Sequence, residues 1–246
     1  MCEYCGCEDH RPGTAAHNHN GLAAHTHGRT VNIGQSVLQH NAELAARNRE
    51  RFTAAGVLAL NVLSAPGSGK TALLERTLTD CATRWRMGVI VGDLQTDNDA
   101  RRLRRSGAPA GQITTGTACH LDAHMVAHAA DEIGADGLDI LFIENVGNLV
   151  CPALFDLGEH GRVVLFSVTE GEDKPLKYPT IFADADLVLI TKSDLATATE
   201  FAAAAALTNI SVAAPRAEVV TLSSRTGDGL IAWYEWLDRK RRTLPA

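Results

Sequence analysis

Aromatic side chains are scarce in this sequence. Six Phe, three Trp and three Tyr supply 5% of its 246 residues. The core must therefore rest mainly on Ala, Val, Leu and Ile. No apolar run is long enough to cross a bilayer. The N-terminus lacks the charged segment and apolar stretch of a secretory signal. A cationic excess is missing too: 23 Lys and Arg face 29 Asp and Glu, for a net charge of −6. That removes any general electrostatic reason to bind nucleic acid or an anionic membrane. The cytoplasm is the expected compartment, where stable disulfides are disfavoured.

Cysteine is sparse as well, six residues in all, yet Cys2, Cys5 and Cys7 crowd into the opening "MCEYCGCEDH". A disulfide staple, a metal site or an accident of composition would each produce such a cluster. A cytoplasmic setting weakens the staple and raises metal ligation. Residues 1–32 are rich in Gly, His, Asn and Thr and show neither helical nor strand period. A flexible tail is expected there. Five of the ten histidines lie in it: His10, His17, His19, His25 and His27. A cysteine cluster beside repeated histidines favours metal binding.

Residues 33–246 read as one α/β domain, a size that can bury a substantial core. A helix is expected over 33–55, packed against the strands and helices of that domain. Apolar strand runs are expected at 57–64, 88–93, 138–145, 162–170, 186–192 and 218–223. Helices are expected at 71–85, from Asp97, at 120–133, at 195–207 and at 228–242. Alternating strands and helices imply a mostly parallel sheet covered on both faces. Ligands of such sheets sit at the C-terminal ends of the strands. Cys81, Trp85, Trp233 and Trp236 read as packing residues.

"SAPGSGKT" (64–71) ends the first strand and opens a helix. It has the form of a phosphate loop, with Ser64 where the usual pattern has Gly. Gly67 and Gly69 let backbone N–H groups turn toward phosphate oxygens, and the helix N-terminus favours negative charge. Gly67, Ser68, Gly69, Lys70 and Thr71 are the expected phosphate ligands. Lys70 would reach the β- and γ-phosphates and the Thr71 hydroxyl would hold Mg²⁺.

"TKSD" (191–194) resembles the guanine-reading NKxD motif. One carboxylate, Asp194, can accept from both the N1–H and the 2-amino group of guanine, while the Lys192 stem lies along the base. Thr191 lacks the amide that braces this loop, so a weaker hold on nucleotide is expected. "SSRTGDGL" (223–230) resembles the second guanine-contacting loop, where Ser223 or Ser224 would present a backbone N–H. GTP and GDP are thus the expected nucleotides.

Asp93 and Glu144 end strands beside the phosphate loop and suit Mg²⁺. Glu144-x-x-Gly147 looks like the Asp-x-x-Gly switch of GTPases, with the Gly147 N–H sensing the γ-phosphate. Lys70, Asp93 and Glu144 are the candidate catalytic residues. No water-positioning Gln and no built-in arginine finger can be recognised, so slow, switch-type hydrolysis is expected. Cys119 and His120 are adjacent, and Cys151 comes four residues after Gly147. A metal held by these three would be coupled to nucleotide state. Two thiolates and an imidazole suit Zn²⁺ or Ni²⁺, with water or a second chain completing the shell. His124 and His128 read as a solvated stripe.

This combination resembles the hydrogenase nickel-incorporation GTPases, the HypB family, across nearly the whole chain. The resemblance is carried by Cys2-x-x-Cys5-Gly6-Cys7, "GDLQTDNDA" (92–100), "ACHLD" (118–122), "ENVGNLVCP" (144–152) and "TEGEDKPLKYP" (169–179). It implies a P-loop GTPase of the SIMIBI class that helps place Ni²⁺ in the large subunit of [NiFe]-hydrogenase. It implies a high-affinity nickel site at Cys2, Cys5 and Cys7. It also implies nucleotide- or metal-linked homodimers with Cys119, His120 and Cys151 at the interface, and a nickel-binding partner chaperone, HypA. Lys174 is implied to contact nucleotide or partner. The sibling GTPase of urease maturation, a nickel store with a vestigial GTPase, and a GTPase loading another metalloenzyme are the alternatives.

Overall fold

The computed structural model describes residues 27–93, 97–116 and 118–245, with side chains of the first helix described from Ser36. Cys2, Cys5, Cys7 and the tail histidines before His27 lie outside the described residues.

Helix α1 (His27–Ala54) precedes the sheet. Strand β1 (Leu58–Ser64) is buried along its whole length, as a strand covered on both faces must be. Next come α2 (Lys70–Asp80), β2 (Met87–Asp93), α3 (Asn98–Arg104), β3 (Ala110–Thr114) and α4 (Ala123–Glu132). The second half runs through β4 (Ile140–Glu144), β5 (Gly161–Ser167), α5 (Lys174–Lys177), α6 (Pro179–Ala183) and β6 (Leu187–Thr191). It closes with α7 (Ala203–Ala213), β7 (Glu218–Thr221) and α8 (Leu230–Arg242). All seven strands are parallel, in the order β3-β2-β4-β1-β5-β6-β7. β1 is therefore central, and the loop leaving it opens into the crevice where such sheets take ligands.

The period of two in the strands divides the core. Leu60, Val62, Phe142, Leu165 and Leu189 pack with Leu74 of α2 and Trp233 of α8 on one face. Leu63, Phe166 and Ile190 pack with Ile210 of α7 on the other, and Ile90, Leu141 and Ile143 pack there with Phe52 of α1. Asn61 lies on that second face, fully buried. Its amide donates to Glu159 Oε1 (3.3 Å) and its carbonyl accepts from Asn145 Nδ2 (3.2 Å), which is how a buried polar side chain in a central strand is accommodated. Cys81, Trp85, Trp233 and Trp236 are all buried, as expected.

Three differences from the expected elements have physical causes. β3 is not expected from sequence: it is a five-residue edge strand with only its first two residues buried, so it shows no apolar run. α2 stops at Asp80, where Cys81 leaves helical geometry, and a turn fills the rest of the expected helix. The helix expected over 195–207 is displaced. A short 3-10 turn occupies Ser193–Leu195, Glu200 reverses the chain at φ +52°, and the Glu172 carboxylate accepts the Ala202 N–H (2.6 Å) just before α7 begins.

Candidate functional site

The loop after β1 turns on Gly67 and Gly69, at φ +76° and +100°, a region that side-chain-bearing residues rarely enter. α2 starts immediately, at Lys70. The Lys70 ammonium is buried and rests 2.8 Å from Ser64 Oγ. Ser64, the departure from the usual pattern, thus receives the lysine. Burial pulls the Lys70 pKa down, against the field of Glu144. Thr71 Oγ1 donates to Glu144 Oε1 (2.7 Å). Burial pushes the Glu144 carboxyl up to about 7, with Lys70 opposing the rise. Its Oε2 has no hydrogen-bond partner among the described residues. Asp93, at the end of β2, lines the same cleft as Gly67, Lys70, Thr71, Glu144 and Gly147. Gly147 packs onto the loop so closely that a Cβ there would lie 3.1 Å from Pro66.

Across the crevice, Thr191 corrects the expectation of a lost brace. Its hydroxyl donates to the Ser68 carbonyl (2.7 Å), so the loop is tied to the phosphate loop without an amide. Lys192 sits at φ +57° and opens the next turn, and its Cε passes 4.0 Å from where a Cβ on Gly69 would be. Asp194 Oδ1 accepts from Ser223 Oγ (2.7 Å). The Ser223 N–H is committed to the Asp228 carbonyl (2.9 Å), which leaves Ser224 as the member of the pair able to present an N–H. The phosphate loop is therefore brought together with Glu144 and Gly147 on one side and with the loop after β6 on the other.

The second constellation is only partly assembled. Cys119 Sγ lies 3.9 Å from His120 Nδ1. The His120 ring stacks on Phe155 with centroids 3.7 Å apart, and burial lowers its pKa, which favours the neutral imidazole. Cys151 begins a 3-10 turn, Cys151–Leu154. Asn148 bridges the two parts, with Nδ2 3.5 Å from the Cys119 carbonyl. Yet no group of three His, Cys, Asp or Glu able to hold a metal occurs among the described residues. Cys119, His120 and Cys151 therefore do not form a ready metal-holding set among the described residues of one chain. His124 and His128 stand exposed on α4 with ring centroids 4.5 Å apart.

Several residues escape sequence reading. Asp99 and Arg102 of α3 line the nucleotide-side cleft. Glu170 Oε1 accepts from Ser68 Oγ (2.7 Å) and from the Ser167 N–H (3.0 Å), so "TEGEDKPLKYP" buttresses the phosphate loop. Lys174 pairs with the other oxygen of Glu170 at 3.4 Å. That signature segment is the available signal for Glu170; its physics emerges only from the fold. No helix among the described residues is long and apolar enough to cross a membrane.

The family model "CobW/HypB/UreG, nucleotide-binding domain" matches residues 58–221. A hydrogenase maturation factor HypB from Rhizobium leguminosarum bv. viciae is 52% identical over 210 residues, covering 85% of this chain and 70% of the relative. The hydrogenase/urease maturation factor HypB of Helicobacter pylori is 43% identical, covering 86% of this chain and 88% of the relative. The crystal structure of HypB from Helicobacter pylori in complex with nickel superposes with a TM-score of 0.78 at 42% identity, covering 84% of this chain and 98% of that one. With this agreement in sequence and fold, the chain belongs to the CobW/HypB/UreG family of P-loop nucleotide-binding proteins and, within it, to the HypB hydrogenase maturation factors.

Proposed function

We propose that this chain is a GTP-hydrolysing nickel metallochaperone that serves [NiFe]-hydrogenase. The observation that carries the proposal is the course of residues 144–151. One end, Glu144 and Gly147, lines the phosphate cleft. The other end is Cys151, and Asn148 between them reaches the Cys119 carbonyl. Loss of a γ-phosphate contact at Gly147 would shift the segment that bears a metal ligand. The nickel-bound crystal structure of the Helicobacter relative supports Ni²⁺ as cargo, and two thiolates with an imidazole suit Zn²⁺ as well. A second copy of the chain, brought in by nucleotide or metal, would complete the shell around Cys119, His120 and Cys151. Cys2, Cys5 and Cys7 would hold nickel before transfer. HypA and the precursor of the hydrogenase large subunit are the proposed partners, in the cytoplasm.

Lys70 would bind β- and γ-phosphate oxygens, and Asp93 would orient the attacking water. The residues also fit Mg²⁺: the unpartnered, buried Glu144 Oε2 stands beside the Thr71 hydroxyl, with Asp93 in the same cleft. When bound, Mg²⁺ supplies charge neutralisation at the phosphate oxygens. Lys192, Asp194 and the Ser224 N–H would read guanine.

The test is Asp194→Asn. Guanine offers the carboxylate two donors, whereas xanthine replaces the 2-amino group by a carbonyl that an Asn NH₂ can meet. The variant should bind GTP at least tenfold more weakly and gain affinity for XTP; unchanged GTP affinity refutes the guanine role. The name of the Helicobacter relative includes urease, so delivery to urease is the second reading. Assaying nickel enzymes one by one after deletion of the gene separates the two.

A further inference from the structure

Among the described residues, two cationic side chains line the cleft beside the phosphate loop, and one of them, Arg102, lies outside the loop. Lys70 is buried at its floor. Arg102, on α3, lines the same cleft with Asp93, Glu144 and Gly147, and its side chain is 44% exposed. Two of its neighbours in the basic run "ARRLRR" are engaged elsewhere. Arg101 bonds Asp97 and Asn98, and Arg104 donates to the Ala110 carbonyl. Arg102 instead leans on α2. Its Nε donates to Glu75 Oε2 at 2.8 Å, and a terminal nitrogen lies 2.5 Å from the same oxygen. Glu75 is one helical turn beyond Thr71. The remaining N–H groups of Arg102 have no hydrogen-bond partner among the described residues. Arg102 and Glu144 lie close enough to feel each other's charge.

We propose that Arg102 is a catalytic residue of GTP hydrolysis, acting in cis: its guanidinium turns from Glu75 onto the γ-phosphate of the nucleotide bound by its own chain. This rests on the proposed GTP site. In the reaction, water oxygen attacks the γ-phosphorus. The bond from that phosphorus to the bridging oxygen breaks, and its electron pair stays on the β-phosphate of GDP. Both protons of the water leave with inorganic phosphate, as H₂PO₄⁻. Negative charge gathers on the bridging and γ-oxygens, where a planar guanidinium offers paired donors that a lysine cannot. A cation that is bound to Glu75 before the nucleotide arrives and released to phosphate afterwards also closes α3 over the cleft. Such an arginine stabilises the transition state more than the ground state.

The test is single-turnover GTP hydrolysis by the full chain, with GDP binding measured in the presence and absence of aluminium fluoride. Arg102→Ala should slow hydrolysis at least tenfold while GDP affinity stays within threefold. The extra affinity that aluminium fluoride confers should be lost, and Arg102→Lys should restore part of the rate. Glu75→Gln, which frees the guanidinium, should hydrolyse GTP at least as fast as wild type. Arg102→Ala turning over within threefold of an active wild type overturns the proposal and leaves the GTP site standing. So does a loss of GDP affinity in step with the rate. A wild-type chain that hydrolyses no GTP brings down both.

Discussion

The Thr191 hydroxyl donates a 2.7 Å hydrogen bond to the carbonyl of Ser68, 123 residues earlier in the chain. It joins the loop proposed to meet the base to the phosphate loop. Both ends are buried, so no water can replace the bond cheaply. Thr191→Val keeps the shape and removes the donor. The orphaned carbonyl costs about 1–3 kcal/mol. GDP affinity should therefore fall by roughly five- to a hundredfold, together with the melting temperature. Calorimetric titration with GDP checks it, and affinity equal to wild type would show the brace to be idle.

His160 makes stability depend on pH. Its Nδ1 accepts the Ala59 N–H at 3.0 Å. Its Nε2 lies 2.9 Å from Thr53 Oγ1, whose own proton goes to the Arg49 carbonyl. The neutral ring with its proton on Nε2 satisfies every partner, and a second proton on Nδ1 would face a donor. Burial, with Arg49 and Lys240 adding to it, lowers the pKa to about 4. The unfolded chain therefore binds the proton first, from about pH 6.5 downward. Folding free energy should be undiminished by this group above that pH and fall progressively as pH drops from 6.5 to 4. Urea unfolding across that range should show the loss in wild type and a shallower one in His160→Gln. Parallel slopes would remove His160 from the cause.

Trp233 is the largest fully buried side chain among the described residues. It fills the space between α8 and β4, stacks with Trp236 at 5.7 Å, and donates from Nε1 to Thr77 Oγ1 (2.9 Å). Trp233→Ala should cost about 3–5 kcal/mol. Trp233→Phe loses the hydrogen bond and less volume, so its cost should be clearly smaller. Denaturant midpoints measure both; a Trp233→Ala cost under about 1 kcal/mol would mean that α8 is not anchored here.

The long apolar runs make β1, β2, β4, β5 and β6 legible in the sequence, and Gly67, Gly69 and Lys70 mark the phosphate loop. What is not legible is the set of tethers. Thr191 to Ser68, Glu170 to Ser68 and Arg102 to Glu75 each join residues far apart in the chain. Each uses a residue type common at surfaces, so no local pattern distinguishes it. β3 is missed because an edge strand needs little apolar surface, and α7 is displaced because a run of alanines has no period to mark its start. Whether Cys119, His120 and Cys151 form a ready metal-holding set is likewise a matter of tertiary geometry that spacing does not reveal.

The most direct measurement is a Ni²⁺ titration of the full chain and of a Cys119→Ala, Cys151→Ala variant, each with GDP and with a non-hydrolysable GTP analogue. Parallel titrations of both proteins lacking residues 1–9 remove the expected N-terminal site from the signal. In the wild-type sequence the affinity of the domain site should differ at least fivefold between the two nucleotide states. In the double variant the difference should vanish. Equal Ni²⁺ affinity with GDP and with the GTP analogue would contradict the coupling of residues 144–151 to the metal.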